Sequence, residues 1–110
     1  MSVHKISENY FVTGQISPSS LSSIKQMGIK AIICNRPDGE GFMQPSFDKM
    51  STAASELGLE MKYLPVHHGP IQATDVQNLG QALEELEGPV LAYCASGARS
   101  ANLWRHHSAA

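Results

Sequence analysis

No stretch of the sequence is apolar for long enough to cross a bilayer. The longest apolar runs, such as Ala31-Ile32-Ile33-Cys34, fall far short of the roughly 20 residues a spanning helix needs. The start, Met1-Ser2-Val3-His4-Lys5, leads into polar residues and not into the apolar core of an export signal. No membrane partner is expected, and the cytoplasm is the default location. An excess of one charge is also lacking. Eight Lys and Arg against ten Asp and Glu give a formal net charge of -2, which offers nucleic acid no basic surface. Cysteine is scarce: Cys34 and Cys94 are the only two, too few for a disulfide scaffold. Repeats and linkers are absent as well. What remains is ordinary globular composition, 42% hydrophobic and 16% charged. At 110 residues this implies one domain, 1–110, with one modest core.

Short strands alternate with amphipathic helices. Tyr10-Phe11-Val12 reads as a first strand. Ser17 then stands as an N-cap, with Pro18 at the first helical position. Leu21, Ile24 and Met27 share one face of that helix, and Gly28 ends it. Lys30 to Cys34 reads as a buried strand opening into the polar turn Asn35-Arg36-Pro37-Asp38-Gly39-Glu40. A second helix spans about Pro45 to Leu57, and a third main strand Met61 to Val66. His67-His68-Gly69-Pro70 is a loop. Thr74 and Gln77 have capping-box spacing before a helix carrying Val76, Leu79, Leu83 and Leu86. Val90-Leu91-Ala92-Tyr93 suits the centre of a parallel sheet, and a last helix starts near Ser100. The order predicts a three-layer α/β domain with a mainly parallel sheet of four to five strands. Ligands in such sheets sit at the carboxyl ends of strands. Asn35 to Glu40, His67 to Pro70 and Cys94 to Arg99 all emerge there.

The last of these carries the clearest chemistry. A loop between a strand and a helix N-terminus turns backbone N–H groups inward and makes a nest for an anion. Cys94 would stand at its start, with Ala95, Ser96, Gly97 and Ala98 forming the nest. Gly97 allows positive φ, Arg99 can grip two oxygens of an oxyanion, and Ser100 can hydrogen-bond the sulfur. A free cysteine is only about 3% thiolate at pH 7. Lowering its pKa by roughly three units takes about 4 kcal/mol, which a helix terminus, several N–H groups and a guanidinium can supply together. The product is an activated nucleophile facing a bound anion, a chemistry that calls for no cofactor.

The string Tyr93-Cys94-Ala95-Ser96-Gly97-Ala98-Arg99-Ser100 resembles a rhodanese loop, Cys-x4-Arg. Tyrosine and dual-specificity phosphatases carry one residue more, Cys-x5-Arg. The rest of the chain is different. Val12-Thr13-Gly14-Gln15, Asn35-Arg36-Pro37-Asp38-Gly39-Glu40, Leu64-Pro65-Val66 and Gly88-Pro89-Val90, with Cys94 to Trp104, resemble the phosphatase-like domain of the beta-lactamase hydrolase-like protein family. That resemblance implies a dual-specificity tyrosine-phosphatase-like fold. It also implies a connection to sulfur metabolism, because some members are fused to a domain related to persulfide dioxygenases. Relatives usually continue in helix beyond Leu103-Trp104; with the sequence stopping at Ala110, either a C-terminal helix of the family is missing or the last helix is simply brief.

Two departures tilt the expected chemistry toward sulfur. The position where such phosphatases carry a general-acid Asp falls on His67 or His68, and Asp75 suits a helix start better. The shorter loop should also contract the nest. The leading expectation is therefore a sulfurtransferase. Cys94 would take sulfur from thiosulfate or a persulfide and pass it to a thiol acceptor or cyanide, with a persulfide dioxygenase-type partner in the background. A phosphatase acting on a phosphoester through a Cys94 phosphoenzyme is the alternative. A non-catalytic oxyanion or phosphopeptide module is the third reading. Among the remaining residues, His68 is a candidate proton donor and His67 a substrate contact. Arg36 is either a second anion contact or tied to Asp38 or Glu40. Cys34 is either a resolving thiol or a small buried hydrophobe. His67, His68, His106 and His107 lack metal-ligand spacing, so no metal is expected.

Overall fold

The computed structural model describes residues 2–109. Strand β5 (Val90–Tyr93) lies at the centre of a five-stranded sheet of order β1-β2-β5-β3-β4. β2 (Tyr10–Thr13) and β3 (Ala31–Cys34) flank it in parallel, pairing Val12 and Ile33 with Ala92. β4 (Glu60–Tyr63) continues the parallel set beyond β3. All four residues of β5 and of β3 are buried, as near-continuous apolar strands under two covering layers should be.

Side-chain alternation divides the core. Val12, Ile33, Val90 and Ala92 face one layer, where α3 (Ala73–Glu85) supplies Leu79 and Ala82 and α4 (Ala98–Ala109) supplies Leu103. Ile32, Cys34, Leu91 and Tyr93 face the other. There α1 (Leu21–Gln26) brings Leu21 and Ile24, and α2 (Phe47–Glu56) brings Met50 and Ala54. The expected three-layer α/β architecture is the one observed.

Several boundaries differ for physical reasons. β1 (His4–Ser7) is an added antiparallel edge strand with a register shift between Lys5 and Ser7, and its half-exposed residues carry little apolar signal. The third parallel strand ends at Tyr63, not Val66. There Leu64 turns its carbonyl to the Asn35 side chain, and Pro65 has no N–H to offer a ladder. α2 starts at Phe47 because the Ser46 hydroxyl accepts the Lys49 N–H. The box that opens α3 is Gln72 with Asp75, not Thr74 with Gln77. α4 begins at Ala98, two residues before Ser100.

The carboxyl ends of all four parallel strands point the same way. They deliver four segments to one end of the sheet: 14–17, 35–46, 64–72 and 94–97. Leu91, fully buried at the middle of the central strand, holds that arrangement from below. Leu91→Ala is expected to cost about 2–5 kcal/mol, measured as a lower urea midpoint with an unchanged m-value.

Candidate active site

Cys94 follows β5 directly, and its N–H still reaches the Thr13 carbonyl at 3.4 Å. The chain then folds back over the sulfur. The Gly97 N–H donates to Sγ at 3.1 Å, and this requires φ of +94° at Gly97. Burial alone pushes the Cys94 thiol pKa up. Opposing it, the N–H groups of Ser100, Ser96 and Gly97 converge on the sulfur, and the net effect is a pKa below the ordinary cysteine value. The Ser100 hydroxyl also adjoins the sulfur, although it donates to Asn35 Oδ1 at 2.9 Å. Cys94, Gly97 and Ser100 are buried, whereas Ala95, Ser96 and Ala98 are exposed around them.

The loop is braced by the segment after β2. Gln15 N–H donates to the Ala95 carbonyl at 3.2 Å. A Cβ at Gly14 would stand 3.0 Å from the same oxygen, so a larger residue there would press on the loop backbone.

Arg99 is held by a partner outside the loop. Its Nη1 and Nη2 donate to the two oxygens of Glu40 at 2.8 and 2.7 Å, and Nη1 also donates to the Val66 carbonyl at 2.9 Å. A guanidinium has five N–H groups in a planar fork. With the end of the fork on Glu40, Nε–H and the second Nη2–H remain along its side edge. Those two parallel donors match the spacing of two oxyanion oxygens. Glu40 is therefore a fixture that aims the arginine. Arg36 steadies the same carboxylate through Nε at 3.1 Å and donates from Nη1 to Gln15 Oε1 at 3.0 Å. The Arg99 hydrogen bonds are the main reason the Glu40 pKa falls to about 2, with Arg36 assisting against desolvation.

The other expected residues separate clearly. Arg36 is tied to Glu40, one of the two readings left open for it. His68 is largely exposed, with Nε2 3.9 Å from Glu40, and His67 is exposed beside it. Asp38 accepts the Phe47 N–H and Asp75 accepts the Gln72 N–H, so both carboxylates serve helix starts. Cys34 packs with Tyr93 in the α1/α2 layer, donates to the Arg36 carbonyl at 3.3 Å, and has its thiol pKa pushed up by burial. The Cys94 sulfur sits under the start of α4, which belongs to the opposite layer. Cys34 is thus a buried thiol packed in the apolar layer. His106 bonds its own helix, and His107 lies against Trp104, so neither joins the site.

Gln15 reads from the sequence as a residue shaping the site floor without a mechanism, whereas Glu40 and Asn35 are not marked there as organising residues. A signal existed for Glu40, since an acidic turn residue and Arg99 emerge at one sheet edge. Asn35 directly follows an apolar strand, and a polar side chain buried there must find partners.

A strand delivering cysteine into a nest, with an arginine opening the helix that follows, on a mainly parallel sheet, defines a phosphatase-like α/β domain of the tyrosine and dual-specificity type. Tk-PTP in its active form shares this fold, with a TM-score of 0.69 at 17% identity over 87% of this chain and 63% of its own. The chain belongs to the beta-lactamase hydrolase-like protein family, whose phosphatase-like domain matches residues 2–110. A beta-lactamase hydrolase-like protein of Agrobacterium fabrum C58 is 34% identical over 104 residues, 94% of this chain and 24% of the relative. The chain thus spans about a quarter of such curated relatives. A crystal structure of a candidate phosphatase from Neisseria meningitidis Z2491 superposes with a TM-score of 0.91 at 36% identity, over 99% of this chain and 78% of that one.

These comparisons overturn the sulfurtransferase expectation: family and structural neighbours alike are phosphatase-like. The rhodanese-length loop misled because one residue of loop length is a local feature. The bracing contacts from residues 13–15 and 35–40 are long-range and follow the fold. Thiosulfate, a persulfide and a thiol acceptor as partners are set aside with that expectation. Among the described residues no helix is long and apolar enough to cross a membrane.

Two outcomes follow from the geometry. In Gly97→Ala, the new Cβ would stand 3.3 Å from the Thr13 carbonyl carbon at a positive φ. Stability should fall by about 1–3 kcal/mol, read by urea denaturation. The second concerns Glu40, whose carboxyl is held at about 2 in the fold against an ordinary 4.5. Its contribution is complete above the ordinary value and is lost as pH falls from there toward 2. Glu40→Gln should therefore lower the melting temperature at neutral pH. The gap to wild type should narrow on acidification through that window.

Proposed function

We propose that this domain is a cysteine-dependent phosphatase acting on small phosphoesters. The observation carrying the proposal is the pairing of a low-pKa Cys94 with an Arg99 whose side edge keeps two parallel N–H donors, in a chain of a phosphatase-like family. The thiolate attacks phosphorus, the P–O bond to the leaving group breaks, and a thiophosphate ester of Cys94 forms. Arg99 and the loop N–H groups hold the equatorial oxygens throughout. Water then attacks phosphorus, the P–S bond breaks, and phosphate leaves with the thiolate restored.

Proton supply to the leaving group is the distinctive point. Asp38 and Asp75 are engaged at helix starts, and Glu40 stays ionised down to about 2. His68 is an exposed side chain on the 64–72 segment, its Nε2 3.9 Å from Glu40. The site thus favours esters whose leaving group departs as a stable anion. The rate should drop at least about tenfold from p-nitrophenyl to phenyl phosphate, and further for alkyl phosphates. Cys94→Ser should reduce p-nitrophenyl phosphate hydrolysis by at least about 1,000-fold. A mutant as fast as wild type rejects the proposal.

The complete burial of Cys94 favours a second reading, a phosphoester-binding module without turnover. It predicts that phosphate binding by calorimetry is retained while hydrolysis is nil in wild type and Cys94→Ser alike.

A further inference from the structure

The turn that supplies Glu40 also carries two large apolar side chains that the core does not use. Phe42 is 97% exposed and Met43 83%, the highest values among the described large hydrophobic residues. Their exposure does not come from a loose segment. The Gly41 N–H donates to Gln44 Oε1 at 3.0 Å, and the Gln44 N–H returns to the Gly41 carbonyl at 3.4 Å. Gln44 Nε2 donates to the Pro37 carbonyl at 2.9 Å. The Asp38 N–H donates to the Tyr63 hydroxyl at 2.9 Å. Phe42 and Met43 thus form the tip of a turn braced on both sides. Met43 has φ of +63°, a left-handed conformation that glycine adopts with less strain. Small polar residues would suit this tip better on both counts. The tip stands beside the Cys94 site. Glu40, two residues earlier, holds Arg99 across both oxygens. Two extended residues span at most about 7 Å, which bounds the separation of the Phe42 and Glu40 Cα atoms. A Cβ at Gly41 would collide with the Arg36 guanidinium, so the backbone leading to the tip lies directly on that arginine.

We propose that Phe42 and Met43 are specificity-determining residues that receive the aromatic group of an aryl phosphate bound at the Cys94 loop. This rests on the phosphoester reading of that loop and names its substrate class. In-line attack places the leaving group on the side of phosphorus opposite the thiolate. Cys94 is buried, so the organic group must point outward, away from the nest. The turn bearing Phe42 and Met43 borders that exit. A ring stacks on a phenylalanine and packs against a thioether, and all three surfaces lose water in doing so. The contact lies away from the reacting bonds and is the same in the ground and transition states. It therefore selects among substrates without speeding the chemical step.

The test compares phenylphosphonate with methylphosphonate, which share the anionic head and carry no scissile ester. Binding is measured by calorimetry on wild type and on a variant carrying Phe42→Ser and Met43→Gly. Both substitutions remove exposed side chains, and glycine suits the left-handed position, so the variant should fold with an undiminished melting temperature. Wild type should bind phenylphosphonate at least about tenfold more tightly than methylphosphonate. In the variant the two affinities should agree within about threefold. Methylphosphonate affinity should differ by no more than about twofold between the two proteins. A preference that is missing from wild type, or that survives in the variant, overturns the proposal. So does an equal loss of both ligands in the variant, because the tip would then be shaping the anion nest itself. If wild type binds neither phosphonate, the phosphoester reading fails and takes this one with it. A preference that follows the tip, in a protein that does not hydrolyse p-nitrophenyl phosphate, removes turnover alone and upholds the proposal.

Discussion

One carboxylate shared by two guanidinium groups ties this end of the molecule together. Glu40 receives Arg99 across both oxygens and Arg36 on one of them. Through Arg36 the tie extends to Gln15, and through the Gln15 N–H to the loop backbone at Ala95. Segments that leave three different strands are thereby fixed against one another. The pair is only partly shielded, with the Glu40 side chain 20% exposed and that of Arg99 11%. Its value lies less in net stability than in direction, since a bidentate fork admits one orientation. Arg99 thus joins the turn after β3 to the start of α4 while its guanidinium also reaches the Cys94 sulfur.

Most of the architecture was legible because apolar periodicity is a strong signal where both faces of a strand are covered. Ala31–Cys34 and Val90–Tyr93 illustrate this. The polar edge strand His4–Ser7 was not legible, since its half-exposed residues show no alternation and its pairing is set by β2. Helix starts were placed a residue or two away from their true position wherever two capping arrangements competed, as at Gln72 against Thr74. Cys94, Gly97 and Arg99 were readable because they fall within one stretch of six residues. Glu40 lies 59 residues from Arg99, and Asn35 lies 65 from Ser100. Pairings of that kind depend on strand order, which no local window contains.

The same distinction explains why the chemistry was misjudged. Loop length is local, and it argued for sulfur. The surroundings of the loop are tertiary: Gly14 and Gln15 against Ala95, Glu40 behind Arg99, Asn35 beneath Ser100. These are features of the whole fold, and the fold is phosphatase-like. The segment after β4 carries His67 and His68, both exposed, and no aspartate beside them.

The strand order carries a consequence for assembly. Among the described residues, β1 pairs with β2 and β3 with β4, and the two halves meet through β5, which comes after all of them in sequence. As the polypeptide is made from its N-terminus, two incomplete half-sheets must wait for Val90–Tyr93 to slot between them. Such late, distant pairing is slow compared with local folding. Cys94 is the next residue after that strand. The sulfur therefore enters its nest only as the sheet closes, and a partly folded chain carries an ordinary thiol.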